Sequence, residues 1–162
     1  SGASAMLTIP LAPFPSAAVH TLCVRAQDMA GNTSEETCTF LPVYDPDAGF
    51  VTGGGWFQSA SAKANLGFVA KYHANSQTPT GNLEFQVGTL KFKATSFDWL
   101  VINGASAQLA GAGTVNGSGP YQFLLTALDQ TPDSVALKIW SASGTVFDSP
   151  TTPMGGGQIK IH

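Results

Sequence analysis

Leu83-Glu84-Phe85-Gln86-Val87-Gly88-Thr89-Leu90-Lys91-Phe92 decides how this chain reads. Leu83, Phe85 and Val87 alternate with Glu84 and Gln86, the period-two pattern of a half-buried strand. After Gly88-Thr89 the parity changes, and Leu90 and Phe92 become the apolar set. A one-residue shift flips every side chain, so a turn or bulge is expected at Gly88. The pattern continues in both directions. Residues 64–72 point Leu66, Phe68, Ala70 and Tyr72 one way. Phe97, Trp99 and Val101 alternate with Asp98, Leu100 and Ile102. Both sets are apolar near the end, so that strand is expected to be buried on both faces. Asn103-Gly104 and Asn116-Gly117 are turn dipeptides around a small-residue stretch, 105–115. Strands at 50–58, 121–128, 135–140, 146–148 and 158–162 complete the set. No segment keeps apolar residues at helical spacing for three turns without Gly or Pro. Short strands with Gly/Asn turns at about 8–12 residue spacing predict an all-β fold, an antiparallel β-sandwich of about eight strands over 50–162. Gly53-Gly54-Gly55 near its start echoes Gly155-Gly156-Gly157 near its end, so these two strands are expected to pair or to sit at equivalent corners.

Upstream, Tyr44-Asp45-Pro46-Asp47-Ala48-Gly49 reads as a stiff polar junction. It divides the chain into a segment over 1–44, a junction over 45–49 and the module over 50–162. The N-terminal segment offers three strands, at 5–9, 19–27 and 33–44. Cys23 and Cys38 flank the turn signal Asp28-Met29-Ala30-Gly31-Asn32. In a hairpin centred between Ala30 and Gly31, opposed residues sum to 61, as 23 and 38 do. The two thiols then face each other at bridging distance. Closing that loop contributes about 3 kcal/mol in the chain-entropy model, and a disulfide points to an extracellular compartment. Three strands alone cannot cover both faces of their sheet, so the segment is expected to dock on the module or on a second copy of itself.

Composition narrows the function. Charged residues make up 10% of the chain, against roughly 25% in an average soluble domain. The polar surface therefore relies on 14 Ser, 16 Thr and the amides. Seven Lys and Arg against ten Asp and Glu, net charge −3, leave no dense basic patch for nucleic acid. No apolar run nears the ~20 residues of a helical span, so membrane insertion is not expected. Ser1–Ala5 lacks a cationic leader region, and the chain is expected to be a mature protein or an excised fragment.

Two resemblances add to this reading. His20-Thr21-Leu22-Cys23-Val24-Arg25-Ala26-Gln27-Asp28-Met29-Ala30-Gly31-Asn32-Thr33-Ser34 resembles the last hairpin of bacterial immunoglobulin-like repeats. The likeness covers residues 5–43. An Ig-like repeat needs about seven strands, so only its C-terminal part would be present. Residues 49–162 resemble an uncharacterised β-rich module toward the C-terminus of bacterial secreted and cell-surface proteins. The similar stretches are Gly49-Phe50-Val51-Thr52-Gly53-Gly54-Gly55-Trp56, Lys63-Ala64-Asn65-Leu66-Gly67-Phe68-Val69, Pro79-Thr80-Gly81 and Gly155-Gly156-Gly157-Gln158-Ile159. The resemblance implies a bacterial surface setting and carries over no catalytic residue.

Candidate chemistry is sparse. His20, His73 and His162 are the only histidines, and none stands in a metal-binding or nucleophile motif. His73 reads as an exposed loop residue, and a triad built on it would make a hydrolase. The three Glu form no visible pair for glycoside chemistry. Asp45 and Asp47 give alternate oxygen ligands of the kind calcium takes. The third acid and the distal Glu are missing, so a Pro-stiffened linker is preferred and no cofactor is expected. Lys91 or Lys93 with an Asn and Glu84 has the ingredients of an isopeptide crosslink, a minor reading. Trp99 and Trp140 read as core. In Trp56-Phe57 one ring must point outward, and with Gln58, Tyr72 and His73 it forms the candidate glycan contact. The expected function is a non-catalytic structural or adhesion module of a secreted or cell-surface bacterial protein. Its partners would be a glycan, another surface protein or other domains of a larger parent chain. A carbohydrate-binding module is the alternative, and a hydrolase comes third.

Overall fold

The computed structural model describes residues 8–10, 12–14, 16–60, 62–74 and 76–162. Among them there is no helix, hence none long and apolar enough to cross a membrane. Ten strands form: β1 (Ala18–Val24), β2 (Thr37–Val43), β3 (Phe50–Gln58), β4 (Lys63–Lys71), β5 (Thr80–Val87), β6 (Leu90–Asn103), β7 (Ser106–Val115), β8 (Ser118–Leu128), β9 (Ser134–Ser141) and β10 (Gly144–Ile161). The expected strand over 5–9 falls partly on residues 5–7, outside the described residues, and Thr8 and Ile9 are not in a strand.

β3 to β10 run up and down in chain order, and β10 hydrogen-bonds back to β3. The module is therefore a closed eight-stranded antiparallel barrel, which corrects the expected sandwich. The physical reason lies in β10. The stretches at 146–148 and 158–162 belong to one 18-residue strand. Its first part, Gly144 to Pro153, pairs with β9, and its second, Met154 to Ile161, pairs with β3. Pro lacks a ladder donor and belongs at a bulge or an edge. Pro150 lies in the irregular step between Ser149 and Thr152, and Pro153 is the last residue paired to β9. The strands carrying the two glycine triplets do pair: Gly157 opposes Gly55, Gly156 opposes Trp56, and Gly54 and Gly53 oppose Gln158 and Ile159. At the far end of this seam Phe50 and His162 exchange backbone hydrogen bonds of 3.2 and 2.9 Å, and their rings stack at 4.2 Å.

Alternation fills the barrel. β4 turns Ala64, Leu66, Phe68 and Ala70 inward and leaves Lys63, Asn65 and Lys71 exposed. An apolar inside with a polar outside is the reverse of a lipid-facing barrel. Phe57, Phe92 and Phe123 are fully buried, with Phe92 edge-on to Phe123 at 5.5 Å. The small residues of β7 make room for them. A Cβ on Gly111 would lie 2.9 Å from the Phe123 ring, and one on Gly113 would lie 2.5 Å from the Phe92 ring. The parity change after Val87 is a tight turn, with Val87 opposite Leu90.

β5 and β6 share only a short ladder, Glu84–Val87 against Leu90–Lys93. Beyond it β6 swings away, and its free edge needs partners. The Tyr72 hydroxyl supplies them. It accepts from the Leu100 amide at 3.0 Å and donates to the Leu100 carbonyl at 3.2 Å. As expected, β6 is buried on both faces here. Leu100 and Ile102 belong to the barrel core, while Trp99 and Val101 join a second cluster outside it with Ala17, Val19 and Tyr44.

The β1–β2 hairpin covers that outer cluster. Phe40 meets Trp99 edge-on at 6.2 Å, and Tyr44 stacks on Tyr72 at 4.8 Å. Asn103 Nδ2 donates to the Ala17 carbonyl at 3.0 Å. The hairpin register is the expected one, with Ala18 opposite Val43 and Cys23 opposite Cys38, and the two cysteines form a disulfide. Its turn is organised by Asp28, whose carboxylate accepts from the amides of Ala30 and Asn32 and from Asn32 Nδ2, each at 2.9 Å. Hydrogen bonding to Asn32 holds the Asp28 carboxyl below its ordinary range.

A pair of carboxylates, Asp129 and Asp133, secures β10. Asp133 accepts from the Ile159 amide at 2.7 Å, and Asp129 accepts from the Ile161 amide and Lys160 Nζ, both at 3.1 Å. The Ile161 amide and then Lys160 hold the Asp129 carboxyl below its ordinary range. The ionised form is the bonded form. Its stabilisation is therefore present above the ordinary carboxylate pKa and is lost as pH falls through the lowered one. We expect the melting temperature to drop on acidification below about pH 4, and Asp129→Asn to flatten that drop. Equal acid sensitivity of the two proteins in a thermal titration would refute this role.

Candidate functional site

The structure separates the residues of the expected aromatic platform. Trp56 on β3 points outward and Phe57 points into the barrel, where it is fully buried and unavailable to a ligand. Trp56 is half-buried. Its ring rests against the backbone of Gly155 and Gly156, where a Cβ on Gly156 would lie 2.7 Å from the indole nitrogen. Lys63 Nζ sits 4.2 Å from the ring centroid. Gln58 is exposed, and its amide donates to the Ser59 carbonyl at 3.3 Å.

Tyr72 and His73 stand elsewhere. Trp56 opposes Asn65, and Tyr72 lies seven residues further along, about 23 Å of strand. Tyr72 is engaged by Tyr44 and by the free edge of β6, and burial raises its hydroxyl above the ordinary phenol range. His73 is exposed; its carbonyl accepts from Ser76 at 2.9 Å, and its ring has no hydrogen-bond partner among the described residues.

Asp45 and Asp47 are both exposed, and Asp45 Oδ1 accepts from the Asp47 amide at 2.9 Å, closing its own turn. Among the described residues, the ligand cluster tight enough for a metal comprises Cys23, Glu36 and Cys38, and its two sulfurs are already joined. Among the described residues, neither Asp45 nor Asp47 belongs to a cluster of three His, Cys, Asp or Glu ligands. Lys93 pairs with Glu84 at 3.1 Å in the open, and Asn116 Oδ1 accepts from the Lys91 backbone at 2.9 Å. That is an exposed ion pair and a turn anchor, without the buried acid an isopeptide bond would use.

A different group is brought together on the outside of β4, β5 and β6. Register sets Trp56 beside Asn65, Asn65 beside Gln86, and Gln86 beside Lys91. The next row sets Gly67 beside Glu84, and Glu84 beside Lys93. The β4, β5 and β6 members of these rows line a groove of about 580 Å³, with the β7–β8 turn at Asn116 forming its far wall; Trp56 lies outside the lining. The side-chain amides of Asn65 and Gln86 have no protein hydrogen-bond partner among the described residues. Reasoning from sequence passed over Asn65 and Gln86 and considered Lys91 only for an isopeptide crosslink. Their outward parity was readable from the alternation, but their alignment with Trp56 depends on cross-strand register.

Compared with family models, curated proteins and solved structures, the chain matches none.

Proposed function

We propose that this chain is a non-catalytic structural and adhesion module of a secreted or cell-surface bacterial protein. The observation that carries the reading is the filled barrel. An eight-stranded barrel either packs its inside with side chains or holds one small ligand. Here Phe57, Phe92 and Phe123 occupy the interior together with Leu83, Leu109 and Leu125, which favours a scaffold over a carrier. The rigid body, its hydroxyl-rich exterior and the disulfide-closed hairpin suit an oxidising, extracellular setting. The test is a turnover screen of the intact chain with chromogenic ester, peptide and glycoside substrates. The expected result is no product above the buffer blank. Turnover that vanishes in His73→Ala would replace this reading with a hydrolase.

A further inference from the structure

We propose that the groove across β4, β5 and β6 binds a carboxylate-bearing oligosaccharide. The inference rests on the adhesion reading and names its ligand class. Three features converge. First, the chain has seven cationic residues and a net charge of −3, yet Lys63, Lys91 and Lys93 all lie on or beside this face. Glu84 is the one acid lining the groove, and Lys93 neutralises it. Among the described residues, Lys91 has no carboxylate partner and Lys63 has only the indole ring beside its ammonium. The local excess is positive on an acidic molecule, which attracts an anion and orients it. Second, Asn65 and Gln86 present unpaired donors and acceptors between the lysines, matched to sugar hydroxyls. Third, the half-buried Trp56 ring ends the row just outside the groove lining, packed on the Gly155–Gly156 backbone with Lys63 Nζ 4.2 Å from its centroid, so a pyranose ring would reach the indole by displacing the exposed Lys63 ammonium.

The row from Trp56 to Lys91 crosses three inter-strand steps, about 14 Å. That span suits a short oligosaccharide better than a single sugar. Aromatic and amide groups in line favour a glycan over an acidic peptide, which would need only the lysines.

The test uses the intact 162-residue chain and calorimetric titration with oligogalacturonate. A neutral β-1,4-gluco-oligosaccharide of equal length and an oligo-aspartate peptide serve as comparators. We expect saturable binding of the uronate that weakens with salt and exceeds both comparators. Lys91→Gln and Gln86→Ala, both on exposed positions, should each weaken it by about tenfold, as should Trp56→Ala. Lys138→Gln, on β9, should leave it unchanged. Absence of uronate binding, equal binding of the neutral sugar or the peptide, or binding unaffected by Lys91→Gln would overturn the assignment. Chain length of the uronate after titration is read on the same samples. Shortened oligomers would sink the non-catalytic reading instead, so the two failures are told apart.

Discussion

Gly157→Ala is expected to open the barrel along its seam. Gly157 has φ +102°, and an added Cβ would collide with the Gly54 carbonyl and the Gly55 backbone across the strand pair. Both obstacles are main chain in the middle of a hydrogen-bonded ladder, so no flexible side chain can yield. A non-glycine residue also meets steric strain in that region of backbone space. Together these effects should cost about 3 kcal/mol or more. For a chain of this size that lowers the melting temperature by roughly 10 °C. Gly67→Ala is the matched control, because nothing lies within 4 Å of a Cβ there. Thermal unfolding of the two variants would decide the matter. Equal melting temperatures would mean that β10 does not close on β3 in this way.

Loss of the disulfide should release the hairpin and spare the barrel. The bridge spans 15 residues of sequence, which corresponds to about 3 kcal/mol in the chain-entropy model. A two-stranded hairpin is marginal in water without help, and its outer half gains little from packing: Leu22, Val24 and Phe40 remain exposed. The inner half is held by Val19, Tyr44 and the Asn103 bond to Ala17. In Cys23→Ser/Cys38→Ser, β1 and β2 should become cleavable by protease, and Trp99, 8% exposed in the intact fold, should emit at longer wavelength. The product covering residues 50–162 should stay folded. Unchanged protease resistance of the hairpin would show that docking on β6, rather than the bridge, holds it.

Much of this was readable from residue order. The alternation of Leu83, Phe85 and Val87 and the switch at Gly88 placed β5, its turn and β6. The unbroken run Trp99-Leu100-Val101-Ile102 announced a strand covered on both sides, and the hairpin is that second cover. Cysteine spacing predicted the register of β1 against β2, while nearer the turn Gln27 bridges Thr33, one residue out of it. Barrel closure was harder to see. The stretches at 146–148 and 158–162 read as two separate strands, but they are one, and Pro150 and Pro153 mark where β10 exchanges β9 for β3, a non-local choice that no local pattern encodes. The site divided likewise. That one of Trp56 and Phe57 faces out follows from parity alone; that it is Trp56 is seen from Phe57 in the barrel core. Tyr72 was grouped with Trp56 through its aromatic character, and only the β3–β4 register shows that they occupy opposite ends of the strand pair. Asn65, Gln86 and Lys91 carry no motif; they become a group through three successive pairings.

The mutual hydrogen bonds of Phe50 and His162 have a mechanical consequence. The polypeptide comes into the barrel and leaves it through one doorway. Tension applied between those two residues would peel β3 from β10 one rung at a time, a weak geometry compared with sliding whole strands past each other. Inserted in a longer fibre, such a unit would add almost nothing to contour length and would hang to the side like a pendant, with its outer wall free to touch what passes.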